Sequence, residues 1–113
     1  MDEMQKRILS ALGLCARARK LIIGVSMITD GLAQMRVQPY LVAEASDTSA
    51  ATHKKVTDKC RYYHIPLVRL EADGEALGHA VGKEGAVGAV AVTDPSLNEA
   101  VRKALERAGY RME

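Results

Sequence analysis

Four short aliphatic runs, each followed by a helix-like pattern, constrain the fold of this 113-residue chain more than any other feature. They occupy 20–24 (KLIIG), 40–45 (YLVAEA), 66–70 (PLVRL) and 86–93 (AVGAVAVT). Each is short for a helix and bounded by Gly, Pro, Asp or Ser, as strands are. The fourth shows no polar alternation, the pattern of a strand buried on both faces.

Between these runs the apolar period changes to that of a helix. Met4, Ile8, Ala11, Leu12 and Cys15 form one stripe of a helix over 3–19. Val25, Ile28, Leu32 and Met35 form another, beginning just after Gly24. A third helix has N-cap candidates in Ser46, Asp47, Thr48 and Ser49, and buries Val56, Cys60 and Tyr63. A short fourth covers 75–81. The fifth starts at Asp94-Pro95, an N-cap and a proline at N1, runs along Leu97, Val101, Ala104, Leu105 and Ala108, and stops at Gly109. The order α-β-α-β-α-β-α-β-α predicts an α/β fold: a three-layer α/β/α sandwich around a four-stranded, largely parallel or mixed sheet. No repeat or linker divides the chain, so one domain over 1–113 is expected.

The net charge of +2 is too small to indicate a nucleic-acid partner, but its distribution is uneven. Lys6, Arg7, Arg17, Arg19 and Lys20 outweigh Asp2 and Glu3, and Lys54, Lys55, Lys59 and Arg61 outweigh Asp58. Glu71, Asp73, Glu75 and Glu84 outweigh Lys83. The aromatic residues are Tyr40, Tyr62, Tyr63 and Tyr110. Proteins that read unpaired nucleotides stack them on aromatic platforms, for which this chain has little material. An RNA partner would be read by shape, backbone and base edges.

Several chemistries are disfavoured. Residues 78–83 (GHAVGK) have too few residues between glycines for a phosphate-binding Walker loop, and Glu84 follows where a magnesium-binding hydroxyl belongs. Gly24 stands alone, without a dinucleotide fingerprint. Cys60 and His64 lie at i and i+4 but lack a second ligand pair, and His53 and His79 are isolated; no metal or other cofactor is expected. Ser26 lacks a nucleophile elbow. Cys15 and Cys60 are expected to be buried free thiols. Reduced thiols, no apolar signal core and no apolar run long enough to span a membrane together imply the cytoplasm.

A binding surface remains. Ser26, Met27, Asp30 and Gln34 occupy the polar side of the second helix, whose first N–H groups attract anions or polar ligand edges. If the strands take the usual arrangement, 24–27, 44–47 and 82–86 converge, with Lys20 and Lys83 as nearby cations for phosphates. Glu44 and Asp47 bracket a strand end, the usual ligand edge of an α/β sheet; that edge is equally suited to binding without catalysis, and a small enzyme is the weaker reading.

The segments 12–24 (LGLCARARKLIIG), 41–47 (LVAEASD) and 76–94 (ALGHAVGKEGAVGAVAVTD) together resemble the L7Ae/L30e family of ribosomal proteins, in particular its small bacterial branch. The resemblance covers nearly the whole chain. It implies an α/β/α sandwich, no enzymatic activity, and binding to kink-turn RNA, a sharply bent duplex with sheared G·A pairs. It also implies RNA contacts from the start of the second helix and the loop before the last strand. Carried over, these are Lys20, Gly24, Ser26, Met27 and Asp30, with Lys83, Glu84, Gly85 and Ala86.

The family pattern Gly-x-Asn-Glu-x-x-Lys is only partly kept. Gly24 remains, while Ser26, Met27 and Asp30 stand where Asn, Glu and Lys are usual. A good base contact is worth ~1–3 kcal/mol, so these replacements weaken the affinity expected for a standard kink-turn. The resemblance therefore implies a monomeric, ribosome-associated protein that binds ribosomal or kink-turn-like RNA. Ribosomal or translation-factor proteins are its further partners, and no membrane is involved. The alternative is a protein-interaction module on the same fold, using the exposed Met27 beside a degenerated RNA site.

Overall fold

Why each segment forms its element is visible at its ends. In the computed structural model, which describes residues 2–111, the order is α1 (Glu3–Arg17), β1 (Leu21–Ile23), α2 (Val25–Ala33), β2 (Leu41–Glu44), α3 (Ala50–Tyr62), β3 (Leu67–Arg69), α4 (Gly74–Ala80), β4 (Ala89–Val92) and α5 (Pro95–Arg107). Asp2, Ser49, Asp73 and Asp94 cap α1, α3, α4 and α5 by accepting from the N–H of Gln5, Thr52, Ala76 and Leu97.

All five helices close with the same turn, in which the residue two beyond the last helical one ends in the left-handed region and the next N–H reaches back to a carbonyl five residues earlier. The bonds are Lys20 N to Cys15 O, Arg36 N to Gly31 O, Ile65 N to Cys60 O, Lys83 N to Gly78 O and Tyr110 N to Leu105 O. This turn stops α1 at Arg17, two residues short of the expected end, because Arg19 has φ 61°.

The sheet order is β1-β4-β2-β3. β2 and β3 pair in parallel, while β4 is antiparallel to both β1 and β2, so the sheet is mixed. Three strands still run one way, as the alternation implies; β4 is inserted against them. The cause lies in α4. At seven residues it spans only about 10 Å, and the chain after it returns to its start, where Val87 N donates to Gly74 O at 2.9 Å. β4 therefore enters the sheet at the edge where β3 left it.

Side-chain alternation divides the core. Leu41, Ala43, Val90 and Val92 face α1, α4 and α5, meeting Ile8, Leu12, Leu77, Val101 and Leu105. Val42, Ala89 and Ala91 face α2 and α3, meeting Ile28, Leu32, Val56 and Cys60. Full burial of each of the larger aliphatic side chains contributes about 2 kcal/mol. β4 is buried at every position, as its uniform sequence predicts. Cys15 and Cys60 are buried free thiols.

Two stripe residues do not join the core. Met4 is exposed while Gln5 is buried, because Gln5 accepts from the Tyr110 hydroxyl, which itself accepts from Glu71 N. Met35 is 85% exposed because α2 ends at Ala33 and Met35 sits in the left-handed closing turn. Among the described residues no helix is long and apolar enough to cross a membrane.

Candidate nucleic-acid interface

β1, β2 and β3 end, and β4 begins, along one edge of the sheet, which gathers the segments the sequence expects to converge. Gly24 extends the β1–β4 ladder by donating to Ala89 O at 2.9 Å, then turns at φ 106° into α2. That backbone angle, rather than crowding, calls for glycine: a Cβ there would meet nothing within 4 Å. Glycine leaves α2 without a side-chain cap, unlike the other four helices. The first-turn N–H groups therefore have no capping acceptor from Gly24.

Around this start, Ser26, Met27 and Asp30 are exposed, and Met27 is 66% accessible. Ile28 and Thr29 are buried beneath them, with the Thr29 hydroxyl directed at Ser26 O at 3.4 Å. Gly88 links the three converging segments: a Cβ there would lie 3.0 Å from Val25 and 3.5 Å from Thr48. The loop ahead of it holds exposed Lys83, Glu84, Gly85 and Ala86. Its backbone packs on α4 so closely that a Cβ on Gly78 would lie 2.1 Å from Gly85 O. The loop borders an open depression with Asp73, Glu75 and His79.

Lys20 is not part of this edge. It precedes β1, and its carbonyl accepts from Thr93 N at the far end of β4. Four residues of extended chain, about 13 Å, separate it from Gly24. Arg17 and Arg19 likewise lie at the end of α1 that leads into β1, not beside Asp30. A basic run next to a strand in sequence says nothing of which end of the strand carries the ligand.

Glu44 and Asp47 do reach the expected edge, but as structural groups. Glu44 follows Val42 onto the α2/α3 face and is fully buried. Its Oε2 accepts from the Thr48 hydroxyl at 2.5 Å, and its Oε1 lies 2.8 Å from His53 Nδ1. Arg69, its partner in the β2–β3 register, donates to Thr48 O at 3.2 Å and Thr48 Oγ1 at 3.1 Å. Asp47 accepts from Gly74 N at 2.8 Å. Glu44 is thus closed off from solvent, and Asp47 is held by the α4 start through one oxygen. The Cys60 thiol is pushed up to about 11, first by burial and then by the nearby Glu44 carboxylate. Among the described residues no cluster of three or more His, Cys, Asp or Glu could hold a metal ion.

A mixed four-stranded α/β/α sandwich with an uncapped, glycine-started α2 at the loop edge of the sheet defines the class of fold. The chain belongs to the ribosomal protein L7Ae/L30e/S12e/Gadd45 family, whose profile matches residues 6–102. That family membership places it among non-enzymatic proteins. It is 43% identical over 83 residues to a Bacillus subtilis (strain 168) protein named RNA-binding protein YlxQ, covering 74% of this chain and 79% of that one. An Enterococcus faecium protein of the same name is 32% identical over 79 residues, covering 70% and 74%. Among solved structures, a protein of unknown function from Bacillus halodurans C superposes with a TM-score of 0.77 at 33% identity, over 88% of this chain and 97% of the other. A Giardia lamblia 15.5kD RNA binding protein matches with a TM-score of 0.73, over 95% and 88%; at 15% identity the likeness is one of fold.

Proposed function

We propose that this protein binds structured RNA through the start of α2 and the loop before β4, without catalysis, as a monomer in the cytoplasm associated with the ribosome. The observation that carries the reading is the uncapped start of α2 at Gly24, flanked by outward-facing Ser26 and Met27 and adjoined by the glycine-bearing loop. Free N–H groups, a hydroxyl and a thioether suit the sugar edge and backbone of a bent duplex. Lys83 supplies a phosphate contact from the loop, and Gly85 and Ala86 allow close approach. Glu84 accepts from exposed base amines, while Asp30 disfavours a nearby phosphate. Family membership and the names of the two YlxQ relatives support the RNA reading.

The test is a salt titration of binding to a kink-turn hairpin and to ribosomal RNA fragments. Binding at low salt is expected, with Lys83→Ala lowering the slope against log salt by about one. Met27→Ala should weaken binding at every salt concentration. Absence of binding at low salt overturns the reading. The exposure of Met27 supports a second reading, a protein-docking surface. That reading requires a co-purifying partner that survives nuclease and is lost in Met27→Asp.

A further inference from the structure

The sheet edge opposite Gly24, where Lys20 lies, gathers residues from four separated segments. Their order across the edge follows the strands: Thr93 N donates to Lys20 O at 3.0 Å, Tyr40 N to Val92 O at 2.8 Å, and Val42 N to Pro66 O at 2.9 Å. α1, α2 and α3 all end at this edge, and α5 begins there. The turns and the last turn of α3 carry Arg19 and Lys20, Arg36 and Tyr40, and Arg61, Tyr62 and His64, all exposed. Among the described residues none of these cations has a carboxylate within ion-pair distance. Asp94 is the only carboxylate in 17–21, 34–41, 61–67 and 93–95, and it caps α5; Asp58, one turn before Arg61 and within reach of its charge, is paired with Lys54. The Gly24 edge has the reverse balance, with Asp47, Glu71, Asp73 and Glu84 against Arg69 and Lys83.

We infer that this second pole binds a single-stranded segment of RNA, next to the structured element held at the Gly24 edge. The inference rests on the RNA reading above. Three observations carry it. Charge is the first, since the pole concentrates unpaired cations on a chain whose net charge is only +2.

The second is aromatic. Tyr62 is 76% exposed, and its ring is held edge-on to Tyr63 with centroids 4.8 Å apart; Tyr40 is also exposed. Helix dipoles account for cations in the last turns of α1 and α3. They do not account for two of the four tyrosines, Tyr40 and Tyr62, lying exposed among those cations: the sequence has little aromatic material, but the fold brings part of it to this edge, in the arrangement that stacks unpaired bases. Beside Arg61 and His64 lies a pocket of about 390 Å³, walled by Ile65, Pro66 and Leu67. Thr57 also lines it. A largely apolar slot with a cationic rim suits an unstacked nucleotide.

The third is conformational. The helices that end at this pole close on Arg19, Met35 and His64 at φ 61°, 55° and 58°. α4 and α5, which end elsewhere, close on Gly82 and Gly109. The left-handed region disfavours side chains, so two polar side chains are held at this edge in a conformation that costs stability.

The test uses the full chain and three fluorescent probes: a kink-turn hairpin, the same hairpin with a single-stranded extension, and a short oligouridylate. The wild type should bind the extended hairpin more tightly than the blunt one. Arg61→Ala combined with Tyr62→Ala should remove that advantage and weaken oligouridylate binding about tenfold. Blunt-hairpin binding should not change. Tyr62→Phe, which keeps the ring, should retain the extended-hairpin advantage. Lys20→Ala and Arg36→Ala should each lower the salt slope for the extended probe by about one.

Wild-type binding to no RNA at all overturns the functional reading and this proposal with it. Binding to the blunt hairpin with no gain from the extension, or a gain untouched by the pole variants, overturns this proposal and leaves the functional reading standing. Pole-dependent capture of an acidic peptide without any effect on RNA also overturns it.

Discussion

His53 Nδ1 lies 2.8 Å from Oε1 of Glu44 and ties the first turn of α3 to the end of β2. Among the described residues Glu44 is the one fully buried carboxylate, and its other oxygen is taken by Thr48. The pair positions the edge that carries the candidate RNA site without facing it.

His53→Ala should therefore lower unfolding free energy by about 1–3 kcal/mol, because it leaves a buried carboxylate oxygen without its partner. Glu44→Gln, which keeps shape and can still accept from Thr48, should cost less than Glu44→Ala. Chemical denaturation measures both. Wild-type RNA affinity in the folded variants would confirm that the pair has a structural role only.

Ser26, Met27 and Asp30 are exposed on α2 and can be replaced without touching the core. Asp30→Lys should raise affinity for a kink-turn hairpin several-fold at low salt by removing one negative charge and adding a positive one. Combined with Ser26→Asn and Met27→Glu, it should raise affinity by at least tenfold, given ~1–3 kcal/mol for each good base contact. Unchanged affinity in the triple variant would show that the RNA lies elsewhere.

The Cys60 thiol is raised from 9.0 to about 11 in the folded chain. Below pH 9 both states carry the proton and Cys60 adds no pH dependence. Between pH 9 and 11 the unfolded chain loses it first, so stability should fall by up to about 2 kcal/mol over that window. The Cys60→Ala variant should lack this component when denaturation curves are compared across the range. Alkylation of Cys60 in the native protein should be slow at pH 8, since it is both buried and protonated.

Met35 closes α2 at φ 55° with its side chain in solvent. Met35→Gly should raise the denaturation midpoint, worth about 1 kcal/mol, because glycine adopts this angle freely and no packing is lost. A fall in stability would mean that Met35 packs against the chain in solution.

The mixed sheet marks the limit of pattern reading. Four runs alternating with five helices were legible because burial imposes a period of two or 3.6 on apolar residues. Pairing leaves no such mark. That β4 lies between β1 and β2, antiparallel to both, follows from a seven-residue α4 and a loop that returns to Gly74. The candidate site was legible for the same local reason: Gly24, Ser26 and Met27 belong to one turn, and the loop glycines to one segment.

Lys20 and Glu44 show what was not legible. Lys20 is four residues from Gly24 in sequence, yet a strand separates them, and its neighbour across the sheet is Thr93, at the end of β4. Glu44 looks like a ligand-edge carboxylate until His53 and Thr48 close over it.

By itself, then, the sequence determined the elements, the caps of α3 and α5, the two apolar faces of the sheet and the turn at Gly24, all of which depend on residues within one or two turns of each other. Tertiary structure alone decided which strand ends share an edge, which carboxylates are consumed by hydrogen bonds, and that the chain has an acidic and a basic pole. Those properties arise from contacts between residues far apart in the chain, and no local period records them.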